Sequence, residues 1–212
     1  MILVLTAMDD QLADAWARHC GDLAEIRLHR GSILDTECDA VVSPANSFGF
    51  MDGGIDALYL NHFGKAVQDR VRRAILARHH GELLVGSADI VETDDARIPY
   101  LIAAPTMRVP MVLAPETINP YLATRAVLLL ARHGRFPDGP LAGQPLAQHL
   151  RVIALPGMGT GVGRVPAEIA ARQVRAAFDE HLRGDFRLPS SWAEASERHQ
   201  LLYTDRPTRL QY

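Results

Sequence analysis

The chain has 212 residues, a length that favours a single α/β domain, and 48% of them are apolar and 22% charged. These values exclude a disordered, fibrous or disulfide-stapled chain, and no apolar run approaches the roughly 18 residues of a membrane span. The net charge of −3 argues against a general nucleic-acid or anionic-membrane binder. We therefore expect a cytoplasmic protein. Cys20 and Cys38 form no CxxC pair and indicate neither a disulfide framework nor a zinc cluster.

Short apolar runs alternate with helical patterns along the chain. The first run, Ile2 to Leu5, precedes Asp9-Asp10 and an apolar stripe at helical spacing, which predicts a strand and then a helix. The same patterns predict further strands at 25–28, 40–43, 87–92, 100–104, 151–155 and 201–204, and further helices at 55–79, 120–133 and 166–182. This alternation predicts a three-layer α/β/α fold around a mixed, mostly parallel central sheet.

We expect one domain over residues 1–184. The segment from Gly134 to Pro145 is rich in glycine and proline and is predicted to be a surface loop within the domain rather than a linker. Residues 185–212 are more polar. We expect this extension either to pack on the domain or to be partly disordered.

Two of the apolar runs end in glycine-rich loops that lead into predicted helices. The first is residues 41–56, VVSPANSFGFMDGGID, and the second is residues 152–166, VIALPGMGTGVGRVP. Ligands of open α/β sheets bind beyond the carboxyl ends of strands, and a glycine-rich turn before a helix exposes backbone N–H groups to an anion. Together the loops predict the two halves of a diphosphate cradle.

Other readings of these segments stay open at this point. Either loop alone is equally well explained by a tight turn that needs positive φ, whereas two of them favour a ligand site. The second loop does not satisfy GxGxxG, because Arg164 stands at the last glycine position, and a P-loop motif does not occur.

Other candidate residues have two explanations each. Residues 107–111 are predicted as either a cleft wall or core. Arg108 and Arg164 are candidates for phosphate contact or simple surface residues. No histidine pair has i, i+4 spacing, so the sequence predicts no metal site and no cofactor.

The order and spacing of these motifs resemble the macrodomains, a family that binds ADP-ribose and in many members hydrolyses it from proteins, nucleic acids or O-acetyl esters. The resemblance runs from about Leu28 to Phe178 and depends on residues 39–47, 53–56 and 159–162. It implies a macrodomain-like fold with an extra N-terminal strand and helix. It also implies that the partner is ADP-ribose or an ADP-ribosylated macromolecule, with nucleic acid only as a modified substrate, and that the protein is a monomer.

Residue by residue, the resemblance implies catalytic roles for Asp56 and Asn46. Asn46 matches the asparagine that contacts the distal ribose, and Asp56 matches an acidic residue beside the scissile ribose, where it would orient or deprotonate water. The implied ligand-binding residues are Ser32, Ile33, Ala45, Asn46, Gly53, Gly54, Ile55, Gly159, Thr160, Gly161, Val162, Gly163 and Arg164.

Three departures from the family pattern affect these expectations. Ser32 replaces the aspartate that recognises the adenine amino group, which predicts weaker adenine recognition, its transfer to a neighbour such as Asp35, or another base. Gly163 replaces a phenylalanine that many hydrolases pack against the distal ribose. Leu60 and Gly163 also occupy the places of a lysine nucleophile and an aspartate in a second branch, which argues against that mechanism.

Two functions from different classes therefore remain. One is hydrolysis of an ADP-ribosyl group by water activated near Asp56, and the other is a non-catalytic reader of ADP-ribose that uses the same cleft. A more distant third is an interaction domain with a degenerate cleft. Asp56 favours catalysis, although it also suits a helix-start carboxylate that only stabilises the helix dipole. The glycine at position 163 favours the reader.

Overall fold

The computed structural model describes residues 1–208. Strands and helices alternate along this part of the chain, as the sequence predicts. The strands are β1 Ile2–Ala7, β2 Ile26–Arg30, β3 Ala40–Ser43, β4 Asp89–Glu92, β5 Tyr100–Ala103 and β6 Val152–Leu155. The α-helices are α1 Asp10–Cys20, α2 Gly54–Phe63, α3 Lys65–His79, α4 Asn119–His133, α5 Ala167–His181 and α6 Trp192–Leu201. Short 3-10 turns lie at Ile33–Asp35 and Leu146–Gln148.

The six strands form one sheet in the order β2-β1-β6-β3-β5-β4. The first five strands in that order are mutually parallel, and β4 pairs with β5 in the antiparallel sense. The predicted mixed, mostly parallel sheet is therefore confirmed. Because the carboxyl ends of β2, β1, β6, β3 and β5 all meet at one edge, the loops that follow these strands share one side of the molecule.

Helices cover both faces of the sheet. Along β1, Leu3 and Leu5 join a buried cluster on the face covered by α1, α4 and α5, while Val4 joins a second cluster on the face covered by α2 and α3. Side chains of a strand alternate between the two faces of its sheet, so β1, β3, β4, β5 and β6 each contribute to both clusters. This arrangement confirms the three-layer α/β/α architecture.

The N-terminal strand lies inside the sheet rather than at its margin. β1 pairs with β2 on one side and with β6 on the other, and both Leu3 and Leu5 are fully buried. Asp9 caps the following helix, since its carboxylate accepts a hydrogen bond from the Leu12 backbone N–H at 2.8 Å. The additional strand and helix are thus part of the core.

Two element predictions are wrong. The predicted helix over 55–79 is two helices, because Gly64 between them has φ 77° and ψ 175°, a conformation that an α-helix cannot continue through. The predicted strand at 201–204 is the end of α6 and the turn after it, in which the Thr204 N–H donates to the Gln200 carbonyl. A short apolar run does not by itself distinguish a strand from a helix end.

Within the C-terminal extension, the described residues 185–208 contain α6, which buries none of its residues. An ion pair between Asp205 and Arg172 links the segment after α6 to α5. The rest of the prediction for this extension, residues 209–212, lies outside the described residues. None of the helices within residues 1–208 is long and apolar enough to cross a membrane.

Candidate functional site

A cleft of about 570 Å³ opens at the edge of the sheet where the five parallel strands end. Its walls come from the end of β1 and from the segments that follow β1, β2, β3, β5 and β6, namely residues 6–9, 31–33, 44–46, 106–107, 156–157 and 159–163. The start of α2 completes it. The cleft lies where open α/β sheets bind their ligands.

The structure brings almost all of the predicted site residues to this one cleft. Its lining includes Ser32, Ile33, Ala45, Asn46, Gly53, Gly54, Ile55, Asp56, Gly159, Thr160, Gly161, Val162 and Gly163. Arg164 is the exception: it is exposed and does not line the cleft. The backbone is left-handed at Arg164, with φ 54°, and its N–H donates to the Gly161 carbonyl to close the turn. A ligand contact from Arg164 stays a prediction.

The first glycine-rich loop presents bare backbone to the cleft at the start of α2. A Cβ added at Gly53 or at Gly54 would meet no atom within 4 Å, and Gly54 has φ 57°. No side chain caps this helix at Gly53. Because the first N–H groups of an α-helix have no partner within the helix, those of α2 are available to an anion.

In the second loop, residues 159–163, two glycines differ in the space that surrounds them. A Cβ at Gly161 would meet nothing within 4 Å, so this residue is open to the cleft. A Cβ at Gly163 would lie 2.5 Å from the Gly159 carbonyl oxygen and 3.0 Å from Leu113. Position 163 therefore has no room for a side chain in this backbone, and an aromatic wall cannot be placed there.

Asp56 lies in the first turn of α2 with only 5% of its surface exposed. The Ser43 hydroxyl donates to its Oδ1 at 2.5 Å. Burial raises the pKa of the Asp56 carboxyl from its ordinary 3.8 to about 7, against the opposing effect of the Ser43 hydrogen bond, and the nearby charge of Asp52 raises it further. A helix start favours the charged form of a carboxylate, so at this position burial outweighs the helix dipole. With this pKa, Asp56 can exchange a proton near neutral pH.

Asn46 also lines the cleft, and its side chain shapes the loop that follows β3. Its Oδ1 accepts hydrogen bonds from the backbone N–H groups of Phe48 and Phe50, at 3.1 and 3.2 Å. Its Nδ2 donates to the Phe50 carbonyl at 2.8 Å. Within the described residues the amide makes three of the four hydrogen bonds that it can make, which leaves one N–H for a ligand.

Sequence reasoning missed several of the cleft residues. Thr6 and Ala7 end β1, and Met8 and Asp9 follow it; the signal that could have found them is that parallel strands end at the same edge. Asp35, the predicted substitute for a base-recognising aspartate, is exposed and does not line the cleft.

The structure supports part of the prediction made for residues 107–111, which follow β5. Met107 and Pro110 line the cleft, which supports the predicted wall at 107–111. Arg108 forms an ion pair with Glu82 at 2.7 Å and lies over the ring of Phe48 at 5.1 Å. With these two partners, Arg108 is held at the rim rather than presented to a phosphate.

Comparison with known proteins decides the family. A family model described as the Macro domain matches residues 42–174, more than half of the chain. The chain belongs to the macrodomain family. The match begins at Val42, so β1, α1 and β2 of this macrodomain precede the matched segment.

Individual relatives agree with this assignment. An uncharacterized protein of Aquifex aeolicus is 34% identical over 148 residues, which cover 70% of this macrodomain and 77% of the relative. A mutant macrodomain of Oceanobacillus iheyensis with ADPR matches with a TM-score of 0.57 and 18% identity, over 82% of this chain and 86% of that one. The Trypanosoma brucei macrodomain in complex with ADP-ribose matches with a TM-score of 0.53 and 22% identity, over 79% and 61%. At these identities, the solved structures show a shared fold.

Proposed function

We propose that this macrodomain binds ADP-ribose in its cleft and hydrolyses an ADP-ribosyl bond with water activated by Asp56. The observation that carries the proposal is a pair of glycine-rich loops open to one cleft, with a buried carboxyl of raised pKa beside the first. Backbone N–H groups from two sides suit a diphosphate. Family membership and the relatives solved with ADPR and ADP-ribose support the choice of ligand.

The strand order and the family resemblance together support one direction for the proposed ligand. The glycine loops follow β6 and β3 in the middle of the sheet, which favours the diphosphate there. Because Ser32 matches the adenine-recognising position of the family and Asn46 its ribose-binding asparagine, we place the nucleoside toward the ends of β1 and β2 and the distal ribose toward Asn46 and Met107. β2 and β3 are three strand spacings apart, about 14 Å, so the two ends of the ligand occupy well-separated parts of the cleft.

In this orientation Asp56 lies on the side of the distal ribose. The ionised carboxylate accepts a proton from a water molecule, and the water oxygen forms a bond to the anomeric carbon of the ribose. The bond from that carbon to the modified group breaks, and its electron pair leaves with the modified group. Such displacement passes through an oxocarbenium-like transition state. A pKa of about 7 suits a general base at neutral pH.

Binding is tested by titration calorimetry with ADP-ribose, with AMP as the comparison ligand. Gly161→Val should abolish binding without unfolding the protein, because the added side chain meets only open space at the cleft. Ala142→Val, in the exposed loop between α4 and β6, is the control for adding a β-branched side chain elsewhere. Wild-type protein that shows no heat at millimolar ADP-ribose refutes the proposed ligand.

Catalysis is tested by measuring release of ADP-ribose from mono-ADP-ribosylated protein and from ADP-ribosylated nucleic acid. Asp56→Asn should lower turnover by at least ~10²-fold with little change in KM, because the base acts in the transition state. Asp69→Asn removes a carboxylate from α3 outside the cleft and serves as the control.

The absence of space at Gly163 favours a second candidate, a reader that binds ADP-ribose without turnover. Without a side chain at position 163, the cleft holds the distal ribose less firmly. Loose positioning of the reacting ribose slows catalysis. Wild-type protein that binds ADP-ribose tightly yet releases none from either substrate would establish the reader in place of the hydrolase.

A further inference from the structure

Ser43 connects the end of β3 to the start of α2 across ten intervening residues of loop. It is the last residue of the strand, and only 2% of it is exposed. Its hydroxyl donates to Asp56 Oδ1 at 2.5 Å. A hydroxyl that donates to an ionised carboxylate makes a charge-assisted hydrogen bond, which is stronger than one between neutral groups. In the sequence, Ser43 belongs to the segment 39–47 that carries the family resemblance, but that resemblance implies no role for it.

We infer that Ser43 is a positioning residue for the hydrolytic base, because its hydroxyl fixes one oxygen of Asp56 and holds the carboxylate in its ionised form. The inference rests on the proposed hydrolase function. With Oδ1 engaged by Ser43, Oδ2 is the oxygen left to meet water, and within the described residues it has no hydrogen-bond partner. Strand β3 is pinned on both sides by β5 and β6, so the donor itself is rigidly placed.

The start of α2 favours the ionised form of Asp56, as any helix N-terminus favours a carboxylate, but two other effects oppose it. Burial is the largest effect, and the like charge of Asp52, in the loop before α2, adds to it. Tyr59 lies one turn further along α2, where burial raises its pKa well above the usual value, so it stays neutral while Asp56 titrates. The Tyr59 hydroxyl donates to the Val42 carbonyl at 2.9 Å, away from the carboxylate. Ser43 is therefore the neighbour that lowers the pKa of Asp56.

The experiment compares Ser43→Ala with Ser43→Thr, which keeps a hydroxyl. Ser47→Ala is the matched control, since Ser47 is a buried serine of the same loop that does not line the cleft. The carboxyl of Asp56 is followed by carbon NMR in the ligand-free protein as pH is varied. In Ser43→Ala we expect its titration midpoint to rise by about one pH unit, since the lost hydrogen bond favoured the charged form.

Turnover measured across the same pH range gives a second readout. A midpoint that moves from about 7 to about 8 lowers the ionised fraction at neutral pH roughly fivefold, so turnover should fall by about that factor at pH 7 and recover at higher pH. KM should stay the same. Ser43→Thr and Ser47→Ala should both show the same dependence of turnover on pH as the wild type. A role for Ser43 in folding alone would lower turnover equally at every pH.

The two readouts separate this inference from the function on which it rests. An Asp56 titration that is unchanged in Ser43→Ala overturns the inference, whatever happens to turnover. A shifted titration with turnover that keeps the wild-type pH profile also overturns it, because Ser43 would then not act through the base. A shifted titration in a protein that turns over no substrate confirms the pairing of Ser43 with Asp56 and refutes the hydrolase. If Ser43→Ala does not fold, Ser43→Cys replaces the hydroxyl by a weaker S–H donor of similar size: a raised Asp56 midpoint supports the inference and an unchanged one overturns it.

Discussion

The contribution of the buried Asp56 carboxyl to the free energy of unfolding of the ligand-free protein falls as pH rises from acid to neutral. Its pKa is about 7 in the folded protein, against the ordinary 3.8 that it regains on unfolding. Between these two values the folded state binds more protons than the unfolded state, so the free energy of unfolding decreases with increasing pH. Below about pH 4 both states are protonated and no cost arises. Above about pH 7 the full cost is present, and the difference in pKa corresponds to about 4 kcal/mol.

Asp56→Asn isolates this effect. The asparagine oxygen can still accept the Ser43 hydrogen bond, and the side chain has nearly the same volume, but it never ionises. The free energy of unfolding is measured by urea titration of both proteins from about pH 4 to about pH 8. Titration of all other groups cancels in the difference between them. We expect this difference to change in favour of Asp56→Asn by about 4 kcal/mol across the range, with most of the change between about pH 4 and pH 7.

A difference that stays constant with pH would refute the reasoning, because Asp56 would then titrate alike in the folded and unfolded protein. A difference that changes in favour of wild type would mean that the folded state stabilises the carboxylate. Asp69→Asn is the control: Asp69 is exposed and pairs with Lys65 across one turn of α3. An exposed pair of this kind contributes about 0.5 kcal/mol, so this variant should remain close to wild type throughout.

Three further substitutions test other parts of the site. Gly163→Ala should destabilise the protein by about 1 to 3 kcal/mol in urea unfolding, because its Cβ would lie 2.5 Å from a backbone oxygen; a variant as stable as wild type would show that the turn relaxes freely. Asn46→Ala should weaken ADP-ribose binding and turnover together in calorimetry and release assays, since it removes three hydrogen bonds that shape the cleft. Ser32→Asp should tighten binding of ADP-ribose by about tenfold relative to its guanosine analogue, because a carboxylate supplies an acceptor for the adenine amino group. Equal affinities for the two ligands in that variant would remove Ser32 from base recognition.

Much of the cleft could be predicted because its signals are local. Each glycine-rich loop follows an apolar run and precedes a helical pattern, so the strand, turn and helix are all visible in one short segment. Parallel strands then place the two loops at the same edge without any knowledge of the pairing. This is why Gly54 and Gly161, more than 100 residues apart in the chain, could be assigned to one site.

The features that were missed depend on contacts that no short segment records. The position of β1 between β2 and β6 requires pairing of Ile2 with Val152 across the length of the chain. The break at Gly64 lies within an uninterrupted helical pattern, and a glycine there is compatible with either one helix or two. The bond between Ser43 and Asp56 joins a strand to a helix, so neither residue indicates the other.

The interior location of β1 also limits how this protein can be shortened. The family model covers residues 42–174, and a fragment cut to those limits would lack β1 and β2 entirely. Strand β6 would then lose β1 on one side and, because its pairs with β3 are Ala40 and Val41, its pairing on the other side as well, which leaves unpaired backbone N–H and C=O groups along both sides. The apolar surface that covered Leu3 and Leu5 would be exposed beside it. Long unprotected edges of this kind pair with other chains and aggregate. A soluble recombinant form of this macrodomain must therefore retain the residues from Ile2 onward.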